Sequence, residues 1–301
     1  MKNHKGRVIG VLQFVNNFGK SPYVKEELST HKIGFSKLNI VNNIAKPSLF
    51  FGGGYDPSKD NKGVGAPDNI GRSVYMVDAE TGTLKWSMAK TNAYTVFDGE
   101  DSIPSGIAIL DSDSDGLIDR LYTGDTGGFV WRVDMPGTTI ADWTVVKLAS
   151  LGGSDSNAND RRFFSRPTIV SALITETVES TVEKYDEETG TTITTTQIDQ
   201  FKKPYEAILL GSGDVTNPVG TDTEDKFFMV KDENILTESL TGAAVPDVIE
   251  IDDLKDYTLN PFEGLEGEDL IAEQILTSEK SGWFISFGNT SGEKSMSSAA
   301  V

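Results

Sequence analysis

Short apolar runs rich in Val, Ile, Phe and Tyr recur along the chain, bounded by Gly, Asp, Asn and Pro. Runs of that length and punctuation read as strands joined by turns. One stretch has helical spacing instead: Leu270, Ile271, Ile275 and Leu276 share a face between Glu268 and Lys280. Glu268 and Asp269 at its start and Lys280 at its end suit the helix macrodipole. The pattern predicts an all-β chain carrying one short helix.

Three pairs of runs repeat. Leu49-Phe50-Phe51-Gly52-Gly53-Gly54 leads to Val74-Tyr75-Met76-Val77-Asp78. Leu121-Tyr122-Thr123-Gly124-Asp125 leads to Val130-Trp131-Arg132-Val133-Asp134, and Leu209-Leu210-Gly211-Ser212-Gly213 to Phe227-Phe228-Met229-Val230-Lys231-Asp232. Each copy is an apolar strand, a glycine turn and a strand alternating around a valine. A segment marked by Ser and Pro precedes each copy: Ser21-Pro22-Tyr23-Val24, Ser102-Ile103-Pro104, and Ser165-Arg166-Pro167-Thr168-Ile169-Val170. Repeating units of this size read as four-stranded β-propeller blades. The expected blades cover roughly residues 15–100, 101–160 and 161–235, with a last one begun at 281–301 by Trp283-Phe284-Ile285-Ser286-Phe287.

The irregular spacing predicts two surface insertions, roughly 174–200 and 232–282. The first alternates with polar residues on both faces, and Asp186-Glu187-Glu188-Thr189-Gly190 reads as a hairpin tip. About three and a half blades cannot close a ring of the usual four to eight. The expectation is one domain over 1–301, a partial, modified β-propeller whose remaining blades lie outside these residues. Its open sheet edges should favour association.

Charge refines this picture. Lys plus Arg number 27 against 46 Asp plus Glu, a net charge of −19. Residues 1–50 carry 8 basic and 2 acidic side chains, whereas 222–280 carry 17 acidic and 4 basic. So acidic a chain repels phosphate backbones, and nucleic acid is not an expected partner. No run approaches the roughly 18 apolar residues that cross a bilayer. Lys2, Lys5 and Arg7 before Val8-Ile9-Gly10-Val11-Leu12 imitate a weak signal peptide, but no small-residue cleavage site follows. No signal peptide is expected, and an internal start is. Cysteine is absent and there are 2 histidines, His4 and His31. Thiolate metal sites, multi-histidine sites and Ser–His triads are thereby set aside.

What chemistry remains is carried by oxygen. Residues 111–119 read Asp111-Ser112-Asp113-Ser114-Asp115-Gly116-Leu117-Ile118-Asp119, with acids at positions 1, 3, 5 and 9 and glycine at 6. Calcium takes 6–8 oxygens in flexible geometry, and a tight loop of alternating acids can supply them. The expected ligands are Asp111, Asp113, Asp115, the Leu117 carbonyl and Asp119. Position 12 is Tyr122 and the flanks are strand-like, so the loop sits in a β-turn and not between two helices. Magnesium suits it less, because magnesium keeps its waters.

With Ile103-Pro104-Ser105 to Leu110 before it and Arg120-Leu121-Tyr122-Thr123-Gly124-Asp125-Thr126-Gly127-Gly128 after it, this loop resembles the PilY/PilC family of type IV pilus tip-associated proteins. Further matches are Gly52-Gly53-Gly54-Tyr55-Asp56, Val74 to Gly82, Arg162-Phe163-Phe164, Gly211-Ser212-Gly213-Asp214 and Gly282-Trp283-Phe284 with Gly292-Glu293-Lys294. The resemblance implies a piece of a modified C-terminal propeller. It implies calcium at the Asp111–Asp119 loop, linked to pilus extension and retraction and to surface attachment. Expected partners are minor pilins and host or abiotic surfaces. The parent protein is expected at the cell surface, pilus-associated, outside the cell or at its outer membrane. No Arg-Gly-Asp tripeptide occurs, so integrin binding of that kind is not expected.

Other motifs read as structural. Ala79-Glu80-Thr81-Gly82-Thr83-Leu84-Lys85-Trp86 resembles the tryptophan-docking repeat of quinoprotein propellers, which predicts that Trp86, Trp131 and Trp283 staple blades together. Asp125-Thr126-Gly127 matches an aspartic-protease triplet, but that chemistry needs two. Gly52-Gly53-Gly54 lacks the helix start and lysine of a phosphate loop. The expectation is a protein that is not an enzyme; the alternatives are a propeller enzyme, quinoprotein-like or a glycosidase, and a carbohydrate-binding propeller.

Overall fold

The computed structural model of the protein describes residues 31–187, 190–288 and 292–301. The basic segment with His4 and Ser21-Pro22-Tyr23-Val24, and the hairpin-tip residues 188 and 189, lie outside them.

The described residues form three five-stranded sheets. In the first, β1 (Lys32–Val41), β2 (Ile44–Gly52), β3 (Ser73–Asp78) and β4 (Leu84–Ala89) make an antiparallel meander, and β5 (Thr95–Val96) lies parallel to β4. In the second, β6 (Ala108–Leu110), β7 (Arg120–Gly124), β8 (Phe129–Asp134) and β9 (Thr144–Ser150) repeat the meander. The third begins with β10 (Thr168–Asp186), β11 (Thr191–Gly211) and β12 (Lys226–Asp232). The repeated motif sets the register. Gly52 pairs with Val74, Gly124 with Val130 and Gly211 with Phe227, so each turn glycine faces the second residue of the following strand, an apolar one in every copy. The first strands β1, β6 and β10 lie beside one another, as the innermost strands of propeller blades do. The sheets do not close into a ring.

Alternation along the strands then packs sheet on sheet. Phe50, Val74, Met76 and Trp86 of the first sheet bury against Leu121, Trp131 and Val133 of the second. The intervening residues Tyr122 and Val130 bury on the opposite side, against Ile208, Leu210, Phe228 and Val230 of the third. The second sheet is therefore buried on both faces, which is why β7 and β8 show no alternation of buried and exposed positions. Trp86 and Trp131 are buried between the first two sheets as the staple reading predicts, with Trp86 5.4 Å from the Trp143 ring. Trp283 differs. It lies half-buried on the far face of the third sheet, stacked on Phe227 at 6.1 Å and Tyr257 at 5.8 Å.

Both expected insertions are present, with different roles. The β10–β11 ribbon pairs without a break from Thr168↔Leu209 to Asp186↔Thr191, and its far half is exposed on both faces. The acidic stretch 232–282 is not a mere excursion. It lays β13 (Ile249–Glu250) along β9, then β14 (Lys255–Asp256), then the helix α1 (Gly267–Glu279) beside β10. The helix matches the predicted 268–280 within one residue at each end, although Leu276 stays 44% exposed. The chain then returns as β15 (Gly282–Ser286), which pairs antiparallel with β12 and parallel with β14. The segment expected to begin another blade is therefore the fourth strand of the third sheet. The reason is non-local: the partner of β12 comes only after the whole acidic stretch has passed.

Candidate metal centre

The Asp111–Asp119 loop joins β6 to β7, whose last and first residues, Leu110 and Arg120, pair directly. Nine residues must therefore turn back within one strand spacing. Two left-handed positions make that possible, Ser114 at φ 62° and Gly116 at φ 87°. At Gly116 the backbone conformation is what asks for glycine, since an added Cβ would meet nothing within 4 Å. The loop's own amides fix its acids. Asp111 accepts from Asp115 N at 3.1 Å and Gly116 N at 2.8 Å; Asp113 accepts from Asp115 N at 3.2 Å; Asp115 accepts from Leu117 N at 2.8 Å.

The result is convergence. One carboxylate oxygen from each of Asp111, Asp113 and Asp115 lies within 4.8 Å of the others. At such separations each like-charge pair repels by roughly 1 kcal/mol in water and by roughly 3–4 kcal/mol at an effective dielectric constant near 20. Lys37 from β1 reaches Asp115 at 4.0 Å, one positive charge against three acids. The donor set is all oxygen, half open to solvent and under-neutralised, which fits a hard divalent cation.

The other two expected ligands stand differently. Leu117, half-buried, directs its N–H onto Asp115. Asp119 is 1% exposed and is not in the three-carboxylate group. Its carboxylate accepts from Ser112 N at 3.1 Å, from Ser112 Oγ at 2.9 Å and from Thr237 Oγ1 at 3.3 Å. Its backbone is pinned as well, N–H to Leu110 O at 3.1 Å and C=O from Met135 N at 2.8 Å.

No protein-family model and no curated protein matches the chain. The fold does match a solved structure, the Pseudomonas aeruginosa PilY1 C-terminal domain, with a TM-score of 0.51 over 89% of this chain and 53% of that one at 16% sequence identity. The chain has a PilY1-like fold. It spans about half the length of the PilY1 chain it resembles. The β-propeller architecture expected from the repeats is that of this neighbour.

Beneath the loop lies a buried polar network that sequence reasoning missed. Arg120 follows Asp119 directly, and Arg132 sits two strand positions into the facing run; neither is exposed. Arg120 pairs with Glu206 of β11 and comes within 3.5 Å of Asp134. Arg132 binds Asp134 through Nε at 2.7 Å and Asp232 at 2.8 Å. The Tyr122 hydroxyl closes the network, donating to Glu206 at 2.9 Å or Asp232 at 2.8 Å. Burial pushes the Tyr122 hydroxyl well above its ordinary range, with Asp232 adding to it. Burial also raises Glu206 and Asp134, and their arginine partners oppose that rise. One sequence signal was available: Tyr122 and Arg132 occupy core-facing positions of the repeat, where a polar residue needs a partner on the next sheet.

The remaining motifs resolve as structural. Asp125 is fully buried and accepts from Gly127 N, Phe129 N and Trp131 Nε1 at 3.0, 2.9 and 2.7 Å, which makes it the anchor of the β7–β8 turn. Asp78 caps the turn into β4 in the same way, accepting from Glu80 N and Thr81 N. Arg162 is ringed by Asp160, Asp214 and Asp60 at 2.8, 2.9 and 3.6 Å.

Proposed function

We propose that this chain is a calcium-binding, non-enzymatic portion of a type IV pilus-associated factor, and that calcium at the Asp111–Asp119 loop acts as a conformational clamp. The observation that carries the reading is the convergence of Asp111, Asp113 and Asp115 in a strand–loop–strand turn of a PilY1-like sheet stack. When bound, calcium supplies the positive charge and the 6–8 oxygen positions that three clustered acids call for. Asp111, Asp113 and Asp115 hold it, with the Leu117 carbonyl and Asp119 completing the set. The loop is continuous with β6 and β7, so ordering it fixes the entry of β7 and with it the surface that the sheet stack presents. Minor pilins and host or abiotic surfaces are the partners this reading implies, at the cell surface, and pilus extension–retraction and attachment are the processes it would regulate.

Calorimetric titration tests the reading. Calcium should bind the wild-type chain at one site and raise its melting temperature. Asp115→Asn and Asp119→Asn should each abolish the calcium-dependent part of that rise. Normal calcium binding by both variants would overturn the assignment.

A further inference from the structure

Thr237 lies 118 residues beyond Asp119, at the start of the acidic stretch, yet its hydroxyl touches the loop at two points. It is 2.9 Å from Ser112 Oγ and donates to Asp119 at 3.3 Å. The same hydroxyl accepts from Arg120 Nη2 at 3.1 Å. The residues just before it are held by the two buried arginines through three consecutive carbonyls. Arg132 donates to Asn234 O at 2.6 Å and Leu236 O at 2.9 Å, and Arg120 donates to Ile235 O at 2.7 Å. Three residues later the buried Leu240 is tied to the second sheet by its N–H, which donates to Thr144 Oγ1 at 3.0 Å. The segment 234–240 therefore runs from the third sheet across the arginine pair to the second, passing under the candidate metal loop.

We infer that Thr237 is a positioning residue for Asp119, and that it couples occupancy of the loop to the docking of segment 234–240. The inference rests on the calcium reading above. Asp119 has a buried carboxylate whose orientation is fixed by donors from Ser112 and Thr237 and by nothing else among the described residues. Partners that orient a metal-binding carboxylate set its affinity. Thr237 is the one such partner that comes from another part of the chain. Its hydroxyl is shared with Arg120, whose guanidinium also holds Glu206 of the third sheet. Loop, segment and neighbouring sheet thus share one set of hydrogen bonds, and by linkage whatever calcium does to the docking of the segment, docking does equally to calcium affinity. The acidic stretch, read from sequence as a solvated insertion, is in this account the element that senses the site.

The test uses the whole chain with calcium as the titrant. Thr237→Val removes the hydroxyl at nearly constant shape, and Thr237→Ser keeps it. Calorimetry should show calcium affinity reduced about 10- to 100-fold by Thr237→Val and close to wild type for Thr237→Ser. Amide hydrogen exchange of the wild-type chain, which needs no variant to fold, should slow across 234–240 on calcium addition as well as within 111–119. Equal affinity in all three proteins, or exchange at 234–240 unmoved by calcium that binds, overturns the coupling and leaves the calcium reading standing. Absence of calcium binding in the wild type overturns both.

Discussion

At the scale of the residue, the acids of the Asp111–Asp119 loop divide into three that converge on one another and one that turns inward onto other partners. The loop's three convergent acids and its glycine fall within nine consecutive positions, so spacing alone brings their oxygens together. Asp119 belongs to the same nine but turns onto Ser112 and Thr237, a contact no local pattern encodes. The buried arginines are a similar case, and they carry a sharp prediction. Arg132→Leu would leave Asp232 buried without its cation, and Asp134 with Arg120 alone at 3.5 Å. Breaking such a pair from one side costs about 3–5 kcal/mol, and urea unfolding should show a loss of that size; a loss under about 1 kcal/mol would mean the acids find other partners. Asp56 gives a prediction in pH. Burial pushes its carboxyl up, but the Asn69 and Ser58 amides and Lys62 outweigh that and hold it at about 2. A folded pKa below the unfolded one means stabilisation that is complete above the unfolded value and lost as pH falls through the folded one. The wild type should therefore lose about 2 kcal/mol between pH values of roughly 4 and 2 that Asp56→Asn never had. Parallel stability–pH curves for the two proteins would contradict this.

At the scale of the element, period and punctuation marked the strands and the helix, because each is specified by its own residues. Pairing was another matter. Trp283 to Phe287 reads as a strand in any context, and only the tertiary fold makes it the neighbour of β12. The β10–β11 ribbon is the opposite case, a pairing visible in advance because a hairpin is local. Its far half contributes no buried hydrophobic residue, and Leu173, Tyr185 and Phe201 are 62%, 63% and 57% exposed. An element that buries so little apolar surface adds little to global stability. Replacing residues 178–199 by Asn-Gly, between the paired Thr177 and Gln200, should leave the melting temperature within about 4 °C of wild type. A larger fall would show that the ribbon supports the core through contacts at its base.

At the scale of the whole molecule, the repeat dictates which faces must find a neighbour. By register, Phe50, Val74 and Met76 of the first sheet correspond to Tyr122, Val130 and Arg132 of the second and to Leu209, Phe227 and Met229 of the third. In the first two sheets that face is buried against the next sheet. In the third no further described sheet follows, and the face continues through Trp283 and Ile285, the latter 38% exposed. At the other end, Leu49, Phe51, Tyr75 and Val77 form a cluster on the first sheet, and all four are buried. The two-residue strands β5, β13 and β14 shield outer edges, and Tyr257, just after β14, covers part of the third sheet's face by stacking on Trp283. A stack left open at the partly exposed apolar face of its third sheet should associate. Sedimentation velocity should show species larger than the monomer that grow with concentration. Ile285→Lys and Phe227→Glu place charges on the third sheet's open face and should shift the distribution toward monomer. A wild-type chain that stays monomeric at every concentration, or variants that associate as it does, would mean that this face is not the surface through which the stack is completed.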